Sequence, residues 1–124
     1  MARILIVEDD EDLAKLISRK FALEGFEVRT ALDGISAMKE VRQFKPDLIL
    51  LDLLFPSGGG LSFLEKLKLS QNTNQIPVIV LTGLENDEYE RRARELGVTS
   101  YLKKPYAEEQ IIAEVKKVLK IKVP

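Results

Sequence analysis

The sequence predicts an α/β fold, a doubly wound parallel sheet, and two observations carry that expectation. Apolar blocks of strand length alternate with segments of helical period along the whole chain. Four of those blocks also end in residues suited to phosphoryl chemistry: Glu8 and Asp9 after ILIV, Asp52 after LILL, Thr82 after VIVL, and Lys104 just beyond Tyr101 and Leu102. If the blocks are neighbouring parallel strands, these side chains share one edge of one sheet.

The first strand is expected at about Arg3 to Val7. A helix from roughly Glu11 to Glu24 carries Leu13, Leu16, Ile17 and Phe21 on one face before Gly25 stops it. A short strand, Glu27 to Thr30, leads to Asp33, an N-cap for a helix reaching about Phe44. Leu48 to Leu51 lacks polar alternation and reads as a central strand buried on both faces. Pro56 and the triplet Gly58-Gly59-Gly60 form a loop, a third helix spans about Leu61 to Leu69, and Pro77 introduces the VIVL strand. Glu85 to Leu96 reads as a charged, mostly exposed helix closed by Gly97, and the last strand is short, near Ser100 to Lys103. Beyond Pro105, a helix of about Glu108 to Ile121 buries Ile111, Ile112, Val115, Val118 and Leu119. Right-handed crossovers put helices on both faces of such a sheet, and ligands bind at the carboxyl ends of its strands.

Composition narrows the chemistry. The 124 residues, 45% of them apolar, suit one compact domain over residues 1–124. Charged residues make up 31% but nearly cancel to a net charge of −1, so electrostatics alone drives neither nucleic-acid nor anionic-membrane binding. Lys116, Lys117, Lys120 and Lys122 read as a solvated helix C-terminus. With no cysteine and no histidine, any catalysis must run on carboxylate, hydroxyl and lysine. The start leads straight into a strand without a signal-peptide pattern, and no apolar run approaches bilayer-spanning length, so a cytoplasmic location is expected, away from membranes.

Each candidate residue has an ordinary explanation. The acids Glu8 to Asp12 suit a helix N-terminus, Asp52 could cap, Thr82 before Gly83 could be turn chemistry, and Lys104 a surface lysine. Their placement at the ends of four different strand-like blocks is the stronger observation. Two carboxylates about 4 Å apart repel by roughly 4 kcal/mol at an effective dielectric of about 20. Glu8, Asp9 and Asp52 together therefore call for a cation, and an all-oxygen set suits Mg2+ or Mn2+ rather than zinc or copper.

The chain resembles the receiver domains of bacterial response regulators over essentially its whole length. The matching stretches are Ile4 to Asp10, Pro46 to Asp52 with Pro56 and Gly60, Pro77 to Gly83, and Tyr101 to Tyr106. The resemblance implies a flavodoxin-like (βα)5 sheet in the order 2-1-3-4-5. It also implies a phosphoryl group accepted on Asp52 from a sensor histidine kinase or phosphotransfer protein, with Mg2+ required. By the same resemblance Asp9 and Asp52 ligate the metal directly, the Leu54 carbonyl is a third ligand, and Glu8 acts through water. Thr82, Gly83 and Lys104 bind the phosphate; Thr82 and Tyr101 form the switch; and the Lys104-Pro105 bond is cis. The implied output is a change in protein binding on the face made by the fourth helix, last strand and last helix, without turnover catalysis.

Several positions depart from the family's pattern. Phe55 and Gly59 stand where a methionine and an aspartate are usual, and Leu54 and Leu84 where polar groups often orient a hydrolytic water. Two leucines there imply slow self-dephosphorylation. Thr99, Ser100 and Glu114 replace charges tied to the dimer face of winged-helix regulators, and no DNA-reading element is evident. Other readings stay open. A flavodoxin-like cofactor binder would find its phosphate repelled by Glu8 to Asp12, and an aspartate-nucleophile phosphatase would need an acid where Leu54 stands. An unphosphorylated adaptor, or a receiver taken from a larger regulator or hybrid kinase, completes the set.

Overall fold

The computed structural model describes residues 2–53, 59–83 and 87–120. Its elements run β1 (Arg3–Val7), α1 (Glu11–Leu23), β2 (Glu27–Ala31), α2 (Gly34–Phe44), β3 (Leu48–Leu51), α3 (Gly59–Leu69), β4 (Val78–Thr82), α4 (Asp87–Glu95), β5 (Ser100–Lys103) and α5 (Glu108–Leu119). The strands form one sheet in the order β2-β1-β3-β4-β5, and every pairing is parallel. The expected α/β sheet and its strand order are therefore the observed ones.

The period of two along each strand divides the core. Leu5, Val7, Ile49, Leu51, Val78 and Val80 face one side, where Ala37 and Val41 of α2 and Phe63, Leu64 and Leu67 of α3 cover them. Ile4, Ile6, Leu48, Leu50, Ile79 and Leu81 face the other, under Ile17 and Phe21 of α1 and Ile111, Ile112 and Val115 of α5. Central strands β1, β3 and β4 thus bury apolar residues on both faces, while edge strands β2 and β5 expose Arg29 and Lys103. Charge on an edge discourages further strand pairing.

Three sequence expectations shift. Leu16 was expected in the buried stripe of α1 but is 52% exposed, because the helix seats on Ala14, Ile17 and Phe21 and turns Leu16 toward solvent. The third helix begins at Gly59 rather than near Leu61. Two glycines are weak helix formers, but a close approach demands one of them. A Cβ on Gly60 would lie 2.7 Å from the Leu53 Cα and 2.9 Å from its carbonyl oxygen. Finally, β2 runs one residue further, through the buried Ala31. Gly25 and Gly97, with φ of +93° and +87°, end α1 and α4 in the left-handed conformation expected of helix stops.

Gly60→Ala is expected to destabilise the fold by about 1–3 kcal/mol, the usual cost of forcing an extra methyl group into a packed site. Urea unfolding read by circular dichroism checks this; a cost near zero would mean that α3 shifts freely over Leu53.

Candidate functional site

Strand register assembles the site. β1 and β3 pair with Val7 opposite Leu51, so the next residues, Glu8 and Asp52, leave the sheet side by side. Backbone bonds extend the alignment past the strand ends: the Asp52 N–H donates to the Val7 carbonyl at 3.0 Å and the Glu8 N–H to the Ala31 carbonyl at 3.0 Å. On the other side β4 and β5 pair with Thr82 opposite Lys103, and the Lys104 N–H donates to the Thr82 carbonyl at 2.8 Å. The edge anticipated from sequence is therefore one physical edge.

Glu8, Asp9 and Asp52 each offer a carboxylate oxygen within 4.8 Å of the others. Glu8 and Asp52 are buried, at 6% and 4% exposure, whereas Asp9 is exposed. Burial first, then a hydrogen bond and charge repulsion from Asp52, push the Glu8 carboxyl up from 4.5 to about 8. With no cation bound, Glu8 therefore keeps its proton through neutral pH, hydrogen-bonded to Asp52. Asp10 lies outside this cluster: its carboxylate caps α1, accepting from the Asp12 and Leu13 N–H groups at 3.1 Å. Its own N–H donates to Glu8 Oε1 at 3.1 Å and helps orient that acid. The ordinary explanation, an acid at a helix N-terminus, is the observed one for Asp10.

Thr82, the last residue of β4, is fully buried. A Cβ on Gly83 would meet the Lys104 Cδ at 3.3 Å, so the lysine stem lies along the glycine and its charge acts on Glu8. The Lys104-Pro105 peptide bond is cis. Tyr106 belongs with the site although sequence reasoning gave it no role. Burial, then the charges of Asp52 and Glu8, raise its phenol to about 12. Its position two residues beyond Lys104 was the available signal.

Tyr101, within β5, is half-buried, and its hydroxyl is buried without a hydrogen-bond partner among the described residues. Arg94 of α4 stacks over the ring at 5.6 Å. Glu90 holds Arg94 at 2.9 Å and Lys103 of β5 at 2.9 Å, which ties α4 to the edge strand around that ring. Ser100 donates to Glu114 across β5 and α5. Leu54, Phe55 and Leu84 lie outside the described residues.

Because the native state keeps a proton on Glu8 that the unfolded chain releases above about pH 4.5, the unfolded state binds fewer protons between that pH and about 8. Stability in EDTA is therefore expected to be full below about pH 4.5 and to fall as pH rises through 8. The lowered carboxyls of Asp33 and Glu90 act with opposite sign at more acid pH. Urea unfolding at stepped pH measures the slope, and Glu8→Gln, which keeps a hydrogen bond but cannot titrate, should remove most of it.

Comparison with known proteins agrees with this geometry. The family model described as the response regulator receiver domain matches residues 4–116. The DNA-binding dual master transcriptional regulator RpaA of Synechocystis is 35% identical over 97% of this chain and 50% of its own length. The phosphate regulon transcriptional regulatory protein PhoB of Escherichia coli is 35% identical over 95% of this chain and 52% of its own. The chain thus spans about half the length of these curated relatives. Among solved structures, a CheY-like response regulator receiver domain protein from Methanospirillum hungatei superposes with a TM-score of 0.89 at 25% identity, covering 97% of this chain and 94% of that one. With its parallel sheet, its strand-end acids and these relatives, the chain belongs to the receiver domain family of two-component response regulators.

Proposed function

We propose that Asp52 accepts a phosphoryl group from a phosphohistidine on a sensor histidine kinase or phosphotransfer protein, and that the modified chain then changes its protein partners. The observation that carries this reading is the strand-end cluster of Glu8, Asp9 and Asp52, whose carboxylate oxygens lie within 4.8 Å of one another, with the Lys104 charge acting on Glu8. The donor set fits a hard divalent cation: it offers oxygen ligands only, and its buried acids need positive charge to ionise together. Glu8, Asp9 and Asp52 would hold Mg2+ or Mn2+, with the Leu54 carbonyl as a further ligand from outside the described residues. When bound, such an ion neutralises the acids and the incoming phosphate oxygens.

In the transfer, an Asp52 carboxylate oxygen attacks phosphorus in line with the donor imidazole. The new O–P bond forms an acyl phosphate, and the electron pair of the broken P–N bond stays on the imidazole nitrogen. The Lys104 ammonium and the Gly83 N–H take phosphate oxygens, and the Thr82 hydroxyl is drawn to the new charge. Tyr101 answers Thr82. Its buried hydroxyl, without a partner among the described residues, supports a ring that gains a hydrogen bond by moving, since buried phenols ordinarily find one. The resulting change would reach a downstream protein through the face of α4, β5 and α5.

The chain modifies itself in this scheme, so no turnover activity is assigned to it. Residues 1–124 are proposed to act as one receiver domain in the cytoplasm, with no direct nucleic-acid or membrane contact; no described helix is long and apolar enough to cross a membrane. The DNA binding named for RpaA is a property of that relative, half of which lies outside the match.

Incubation with acetyl phosphate should add the mass of about one phosphoryl group only when Mg2+ is present, and Asp52→Asn should abolish the gain. An unmodified wild-type mass under both conditions would replace this reading with a receiver-like adaptor that is never phosphorylated. Leu84→Glu should shorten the lifetime of the adduct, followed by intact mass over time, because a carboxylate there could orient a hydrolytic water; an unchanged lifetime would refute the water-exclusion reading of Leu54 and Leu84.

A further inference from the structure

Helices α2 and α3 lie side by side on the sheet face opposite α1 and α5, with a hollow of about 510 Å³ between them. Ile35, Met38 and Arg42 line it from α2, and Ser62, Phe63 and Lys66 from α3. Ile35 is 86% exposed. Leu69, at 80% exposure, continues the helical face of Ser62 and Lys66, and the exposed Leu32 stands in the turn entering α2. Ile35, the most exposed large apolar residue among the described residues, therefore lines this hollow together with Met38 and Phe63, and Leu32 and Leu69 lie on the same two segments of chain. A second hollow of about 490 Å³ adjoins the first at Arg42 and is lined by Lys45, Pro46, Thr73 and Ile76. Together they make a trough along α2, whose 11 residues span about 16 Å, or three helical turns.

The rim of the trough carries an excess of positive charge over the one carboxylate that lines it, Asp33. Arg42 and Lys66 line it, and Lys39 and Lys45 flank it on and beyond α2. None of these four makes an ion pair among the described residues. Of the nearby acids, two are paired with other cations and the third, Asp33, sits at the α2 N-terminus. Glu40 pairs with Arg29 at 3.2 Å, Glu65 with Arg92 at 3.6 Å, and Asp33 caps α2 by accepting from Ser36.

We propose that the α2–α3 trough docks an amphipathic helix of a partner protein, apolar along one side and bordered by aspartate or glutamate. The length admits about three turns, the apolar floor suits anchors spaced i, i+3 or i+4 and i+7, and the unpaired cations select acidic flanks. A nucleic acid would use the cations but leave the floor unmatched. This surface is separate from the phosphoryl site and does not depend on its chemistry.

A display library of helical peptides about 14 residues long, selected on the intact chain and counter-selected on Ile35→Asp/Lys66→Glu, tests the proposal. Enriched peptides should carry the apolar spacing with Asp or Glu beside it. A labelled consensus peptide should lose affinity about tenfold or more with Ile35→Asp, and likewise with Arg42→Glu/Lys66→Glu. Its binding should weaken as salt rises. Unchanged thermal unfolding midpoints show that the variants fold, and the double charge reversal decides the matter if Ile35→Asp does not. Enrichment of no peptide, or of peptides indifferent to these substitutions, would overturn the proposal. So would binding of a thymidine oligonucleotide or phosphatidylserine vesicles that outcompetes the peptide and ignores Ile35→Asp.

Discussion

The in-register parallel pairing of β1 and β3 is the constraint from which the site follows. Pairing Val7 with Leu51 forces the next residue of each strand out of the sheet at the same height, and those residues are Glu8 and Asp52. A slip of one residue would reverse which side chains enter each half of the core. It would turn either Leu5 and Val7 or Ile49 and Leu51 away from α2 and α3 and at the same stroke separate the two acids. Packing of the central strands and adjacency of the carboxylates are thus one commitment, held by hydrophobic burial that no acid could supply.

Having forced two carboxyls together in a buried corner, the fold must manage their charge. Without a cation, Glu8 keeps its proton, its carboxyl shifted upward by burial and by Asp52. Asp9 stays in solvent, and the Lys104 charge reaches Glu8 from across the edge. Tyr106 is held as a neutral phenol by the same field. The corner therefore stays poised to exchange its proton for a more highly charged species, and the neighbouring groups are those that would meet that species first.

Much of this was legible in the sequence because burial on both faces leaves an unmistakable mark. The run Leu48 to Leu51 has no polar alternation, and the residue that ends it had to lie at a sheet edge. What was not legible depended on neighbours distant in sequence. Gly60 reads as loop until Leu53 is seen pressed against it. Leu16 reads as core because it falls near the apolar stripe, and only the seating of Ala14 on the sheet decides the rotation of α1. The bridge from Glu90 to Lys103 and Arg94 required the relation of α4 to β5, which no local spacing encodes.

Net charge was the least informative sequence quantity for a physical reason: it sums what the fold separates. On α4, Arg91 pairs with Glu88 and Glu95, Arg92 with Glu65, and Arg94 with Glu90, so a densely charged surface is electrically closed. At the strand ends the imbalance is negative and buried; along α2 and α3 it is positive and exposed beside apolar side chains. These local excesses nearly cancel in a total of −1. Fields fall off within about 8–10 Å at ordinary salt, so each surface meets its partners through its own charges and not through the sum. A near-neutral chain can in this way carry a buried acidic corner and an exposed, mainly cationic trough at once.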